Sequence, residues 1–204
     1  MFVSHEHQDH WKGAGPISRY CNCPIYMNEL SYRKKESKMG RCGVEFMETS
    51  QEVTIEDLTI KHFSTRHDVK MSFGYSITQE DGPTFVYITD SGIVTPLIAN
   101  YLSKADMILI EADYDVKMLD DYDGYDDYLK NRIMNTHLSN GQVMKFLEDN
   151  GVGKFQHVIF AHLSPRTNTP ETILTLAKDC FPDHEEIFLT APLQEEVEVK
   201  CQDR

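Results

Sequence analysis

Three histidines and two carboxylates fall within the six residues His5-Glu6-His7-Gln8-Asp9-His10, directly after Ser4 and the apolar stub Phe2-Val3. Such a cluster is costly to bury unless something neutralises it. Residues at i and i+2 of an extended chain point to one side, so His5 and His7 can grip a single ion. Asp9 and His10, on the turn that follows, can reach a second ion nearby. Imidazole nitrogen and carboxylate oxygen together suit zinc, and also manganese or iron. The competing reading is a His-rich surface turn, which does not account for this density of donors.

Donors so placed need a frame, and the apolar pattern supplies one. Phe2-Val3 reads as the tail of a buried strand, Lys12 to Tyr20 as a short helix and Pro24 to Met27 as a strand. Glu52 to His62 holds two β-rich runs around Glu56-Asp57, a hairpin pattern. Ser72 to Thr78 and Thr84 to Thr89 form two more strands joined by Glu80-Asp81-Gly82-Pro83, which is strong turn chemistry. Thr95 to Leu102 is predicted helical and leads to the unbroken apolar run Met107 to Ile110, a buried strand. Leu138 to Leu147 has helical spacing, Val158 to Phe160 is another buried strand, and Pro170 to Asp179 is a helix opened by proline. Glu186 to Leu189 closes the order. The fold class is α/β, as one domain over residues 1–204. The acidic stretch Glu111 to Asp127 fails the EF-hand pattern, with Leu119 and Lys130 at positions that need carboxylates. It reads as a solvated acidic loop over packed tyrosines.

His-x-His-x-Asp-His after a strand resembles the metal-binding signature of the metallo-β-lactamase-fold hydrolases. That family needs three further ligands downstream, and the chain offers candidates in order at strand exits, where α/β folds place their sites. These are His67, Asp90 in Thr89-Asp90-Ser91-Gly92, and His162 in Phe160-Ala161-His162-Leu163-Ser164. Taken singly, such an aspartate is more often a turn or cap residue and such a histidine a surface group. His62 competes with His67 but lies inside its strand. The resemblance implies an αββα sandwich holding two divalent ions, zinc or manganese. His5, His7 and His67 would bind the first ion, Asp9, His10 and His162 the second, and Asp90 would bridge them. Such paired ions, about 3.5–4 Å apart, activate a shared water as hydroxide for in-line attack.

Glu111 in Leu109-Ile110-Glu111-Ala112 and His137 in Thr136-His137-Leu138-Ser139-Asn140 narrow the resemblance to the YycJ (WalJ) exonuclease branch, with similarity to tRNase Z. By that similarity His137, oriented by Glu111, would protonate the leaving alkoxide. Asp9 is the alternative proton acceptor for the attacking water. Ser164 and Asn168 are further candidates for phosphate contact. The implied substrate is nucleic acid, most directly DNA. Alternatives are a small ester, lactone or thioester on the same centre, or a non-catalytic binding domain. Family members carry opening strands before the first motif, so the expected fold is N-terminally truncated, with an edge and apolar surface uncovered.

The charge balance constrains how an anion could bind. Twenty Lys+Arg against 33 Asp+Glu give −13 overall, so the surface as a whole repels nucleic acid and anionic lipid. An anionic substrate therefore needs a local positive centre: bound metal, or the basic segment Arg33, Lys34, Lys35, Lys38 and Arg41. That segment reads equally as a solvated helix face. No run approaches the about 18 apolar residues of a membrane span, and no signal peptide opens the chain. Five cysteines, an odd number, with no export signal suggest reduced thiols and a cytoplasmic location.

Overall fold

The structure, a computed structural model, describes residues 1–48, 51–191 and 197–200. Phe2-Val3 runs extended beside the first strand, with Val3 N–H donating to the Tyr26 carbonyl at 2.9 Å. The chain then forms α1 (Gln8–Trp11), α2 (Ala14–Cys21), β1 (Ile25–Met27), α3 (Glu29–Met39) and β2 (Val44–Phe46). Strands β1 and β2 pair in parallel as a small sheet. The predicted turn carrying Asp9 and His10 is therefore one turn of helix.

Next come β3 (Glu52–Ile55), β4 (Leu58–Ser64), β5 (Phe73–Gln79), β6 (Thr84–Ile88), α4 (Pro96–Leu102) and β7 (Met107–Glu111). The acidic stretch is not a plain loop. It holds α5 (Val116–Asp121) and the start of α6 (Asp127–Thr136), with the side chains of Asp115 and Asp126 capping the free amides of Met118 and Leu129. Aspartates that read as solvated acid are thus helix caps. The chain ends in α7 (Asn140–Asn150), β8 (His157–Ala161), α8 (Pro170–Cys180), a 3₁₀ turn at Glu185–Ile187 and β9 (Phe188–Thr190).

Strands β3 to β9 lie in sequence order in one seven-stranded sheet. Pairing is antiparallel from β3 to β6 and parallel from β6 to β9. Alternation explains its two faces. Val86, Ile88, Ile108, Ile110, Val158 and Phe160 point to one side and pack in a single core with residues of α4, α7 and α8. On the other side the Phe2 ring stacks on Tyr26 of the small sheet at 4.8 Å and meets Tyr75 of the large sheet at 5.6 Å. Val3, Trp11, Ala14, Ile25, Met27 and Met39 pack together under α1 to α3. The result is the expected helix–sheet–sheet–helix order. An apolar cavity of about 490 Å³ remains on this inner face, lined by Phe2, Ile60, Tyr75, Ile77, Phe85 and Tyr87 and reaching Asp9, His10 and His162.

Cys21, Cys23, Cys42 and Cys180 are free thiols, and Cys201 lies outside the described residues. Among the described residues no helix is long and apolar enough to cross a membrane.

Gly92 shows how tightly the strand exits are packed. A Cβ there would lie 1.9 Å from the Asn135 carbonyl oxygen at the end of α6, so only glycine permits the approach. Gly92→Ala is expected to cost about 1–3 kcal/mol by overpacking and to lower the melting temperature. An unchanged melting curve would show that α6 yields without penalty.

Candidate metal centre

The structure brings the predicted donors together. His5, His7, His67 and Asp90 each offer a ligand atom within 4.8 Å of the others, and so do Asp9, His10 and His162. Asp90, which leaves β6, stands between the groups. Its Oδ1 lies 3.3 Å from His67 Nε2, while Oδ2 lies 3.0 Å from His10 Nε2 and 3.6 Å from His162 Nε2. His62, the competitor of His67, is fully buried in β4 against the Phe73 ring at 4.4 Å and joins neither group.

A layer behind these donors fixes which nitrogen faces inward. The Ser4 hydroxyl sits 3.0 Å from His5 Nδ1 and 3.2 Å from His10 Nδ1, holding both rings by their outer edges. His67 Nδ1 donates to the Thr136 carbonyl at 2.9 Å, which leaves its Nε2 as a lone pair on the side of Asp90. His162 Nδ1 faces Glu111 Oε1 at 3.1 Å and Asp113 Oδ1 at 3.6 Å. An imidazole tied at Nδ1 with Nε2 presented inward is how proteins orient metal-binding histidines. His5 Nε2 is buried with no hydrogen-bond partner among the described residues, and His10 Nε2 and Asp90 Oδ2, buried 3.0 Å apart, face each other without hydrogen-bond geometry. Buried polar atoms are normally satisfied. Here they converge on the two donor groups, where divalent cations would satisfy them.

The electrostatics agree. Burial opposes charge on His10, but Asp9 and Asp90 raise its pKa to about 9. Burial likewise opposes charge on His162, and Asp113, Asp9 and Glu111 override it upward. Burial and three neighbouring imidazoles push His5 down to about 3, which keeps it neutral as a ligand must be. Burial disfavours the Asp90 carboxylate too, yet His10, His162 and His5 hold it far below its usual range. The field of the site draws in positive charge.

Glu111, fully buried at the end of β7, organises the far side. Its Oε2 accepts from the amides of Ser91 and Leu138, each at 3.1 Å, and its Oε1 lies 2.6 Å from His137 Nδ1. Although burial works against it, His137 and His162 keep the carboxyl ionised, and Glu111 in turn raises the His137 pKa. His137 lies 3.9 Å from Asp90 and lines a cleft with His7, Asp9, Asp90 and His162.

Several expectations need correction. Asn168 is no phosphate contact: it is buried, with its side-chain amide donating to the Ala112 carbonyl and to Asn140 Oδ1, both at 2.7 Å. Ser164 does line the cleft. None of Arg33, Lys34, Lys35, Lys38 and Arg41 lines it. Arg33 pairs with Glu29 at 3.0 Å, Lys34 with Glu6, and Lys35 lies 5.6 Å over the Trp11 ring. The solvated-face reading of α3 therefore holds, with Lys34 and Ser31 tethering Glu6 of the histidine motif. Sequence reasoning missed Ser4, Asp68, Asp113, Thr136 and Arg132, which act beside or behind the donors.

Two sheets between helix layers, with Asp90, Glu111 and His162 at the ends of parallel strands and the histidine motif and His67 gathered beside them, define a protein of the metallo-β-lactamase fold. The chain belongs to the family described as Beta-lactamase superfamily domain, which it matches over residues 1–162. It is 29% identical over 178 residues to the exodeoxyribonuclease WalJ of Streptococcus pneumoniae, covering 84% of this chain and 65% of that one. It is 28% identical over 176 residues to the exodeoxyribonuclease YycJ of Bacillus anthracis, covering 84% and 66%. The chain thus spans just under two thirds of the length of these curated relatives. Among solved structures, the metallo-β-lactamase fold protein YhfI of Bacillus subtilis is similar with a TM-score of 0.69 at 20% identity, over 93% of this chain and 73% of that one.

Proposed function

We propose that residues 1–204 form one metal-dependent hydrolase domain that cleaves phosphodiester bonds, with DNA as substrate and exonucleolytic cutting as its mode. The observation that carries this reading is Asp90, which turns one carboxylate oxygen to each of two imidazole groups. That arrangement suits two divalent ions, zinc or manganese, held by His5, His7 and His67 on one side and Asp9, His10 and His162 on the other. When bound, paired ions lower the pKa of a water to about 7 and offset charge building on phosphorus. The names of the two exodeoxyribonuclease relatives support DNA as the substrate.

The chain's own residues supply the rest. His137, whose protonated form the Glu111 carboxylate favours, lines the cleft and would protonate the departing alkoxide. Asp9, exposed beside His10 and His162, is the alternative acceptor for a proton of the attacking water. A second reading, hydrolysis of a small apolar ester or thioester, is favoured by the aromatic cavity that reaches Asp9, His10 and His162.

Purified protein supplied with Mn²⁺ or Zn²⁺ is expected to cleave bis-p-nitrophenyl phosphate and to shorten 5′-phosphorylated duplex DNA. Chelation should abolish both activities and Mn²⁺ should restore them. Turnover of thioesters or lactones without phosphodiester cleavage would establish the second reading instead. Folded protein that takes up well under one ion per chain would be a non-catalytic domain.

A further inference from the structure

Resting on that reading, we propose that Arg132 receives a phosphate of the substrate strand adjacent to the one being cleaved. With the basic residues of α3 outside the cleft, Arg132 is the only Lys or Arg among the described residues that line it. It sits in the middle of α6, away from either helix end, so it does not complement the helix dipole. Its partner is Asp68, 64 residues earlier in the chain, with Arg132 Nε and Nη2 both 2.6 Å from the same oxygen, Oδ2. Asp68 Oδ1 in turn lies 3.4 Å from His7 Nε2 and 3.2 Å from His67 Nε2. The guanidinium is therefore held in a fixed orientation at the rim of the candidate ion site.

Its remaining capacity points to an anion. A guanidinium carries five N–H donors in a rigid fork, and Asp68 engages the one on Nε while Nη2 stands within ion-pair distance of the same oxygen. The side chain is 40% exposed, so the other donors are open to an incoming group. A planar fork locked in place by a carboxylate loses little freedom on binding and matches phosphate geometry. In a chain of net charge −13, Arg132 is the one guanidinium or ammonium group among the described residues lining the cleft, and its outer donors remain available to a phosphate. A flanking phosphate fits better than the scissile one, which the metal side of the cleft would hold.

The test compares metal-loaded wild type with Arg132→Ala and Arg132→Lys. Binding of a short fluorescent phosphorothioate-linked DNA strand is followed by anisotropy, and kinetics are measured on a 5′-phosphorylated oligonucleotide and on bis-p-nitrophenyl phosphate. Arg132→Ala should weaken binding and raise KM for the oligonucleotide roughly tenfold, the size of one charge-assisted contact. It should lower kcat much less and shrink the salt slope of binding by about one. The loss should be smaller on bis-p-nitrophenyl phosphate, which has no neighbouring phosphate. Arg132→Lys should recover part of the affinity, with the same metal content and melting temperature as wild type. Unchanged binding and KM in Arg132→Ala overturn the proposal. So does an equal loss on both substrates accompanied by metal loss, which would make the arginine a prop for Asp68. Arg132-dependent binding of the strand without any cleavage would uphold the arginine's role and overturn the nuclease reading instead.

Discussion

Asp90→Asn should bind metal at least about a hundredfold more weakly, since even outer-layer partners of metal ligands are worth 10–100-fold in affinity. Both phosphodiesterase activities should fall to background at metal concentrations that saturate the wild type. The substitution keeps the side chain's size and one oxygen but removes the anionic charge and replaces the second oxygen with an N–H donor. That oxygen faces either His67 at 3.3 Å or His10 at 3.0 Å, so one of the two imidazole groups loses its shared anion. Thermal melting gives a readout independent of catalysis. An ion that binds only the folded chain stabilises it by about 2.7 kcal/mol at a hundred times its Kd, so the wild-type melting temperature should climb with added Zn²⁺ or Mn²⁺. The Asp90→Asn variant should show little of that climb at the same concentrations. Equal metal stoichiometry and affinity in the two proteins would refute the bridging role.

The two chain reversals that carry Asp90 and His162 could not be read from sequence. Both residues adopt left-handed backbone conformations, with φ of 56° and 55°. Strained backbone of this sort concentrates at functional sites and persists only when the surroundings hold it. Sequence pattern showed that each residue follows an apolar strand, and therefore sits at the carboxyl end of the sheet. It could not show that the chain turns sharply there to aim the side chain inward. The donors were legible because histidine and aspartate at i, i+2, i+4 and i+5 have few structural explanations. The layer behind them was not, because a serine hydroxyl, a backbone carbonyl at Thr136 and an aspartate following His67 are ordinary residues until three-dimensional packing sets them against an imidazole.

The same limit explains the acidic stretch. Its charge hid α5 and α6, whose first turns are capped by the aspartates that looked like solvated acid. Those helices matter, because α6 delivers both Arg132 and the approach to His137. Conversely, the basic residues of α3 drew the eye by composition alone. Their charges are largely met by neighbouring Glu29, Glu6 and Trp11, so they are part of the packing of α3 and the motif loop.

His137→Ala should separate chemistry from metal binding. The ring lies 2.6 Å from Glu111 Oε1 through Nδ1, and although burial of the imidazole opposes its charge, that carboxylate raises its pKa and favours the protonated form. A cation so held can donate a proton to an alkoxide leaving group, a contribution typically worth 10²–10⁴-fold. The leaving group of DNA is a deoxyribose alkoxide, which departs poorly without that proton, whereas p-nitrophenolate is stable as the anion. His137→Ala is therefore expected to lower kcat on DNA by about 10²–10⁴-fold, to depress bis-p-nitrophenyl phosphate hydrolysis far less, and to leave metal content unchanged. Equal losses on the two substrates would mean that His137 supports the fold or the ions rather than the departing oxygen. Glu111→Gln should move in the same direction, since a neutral amide cannot hold the imidazole charged. It should also melt earlier than His137→Ala, because the Glu111 carboxylate additionally accepts the Ser91 and Leu138 amides at 3.1 Å.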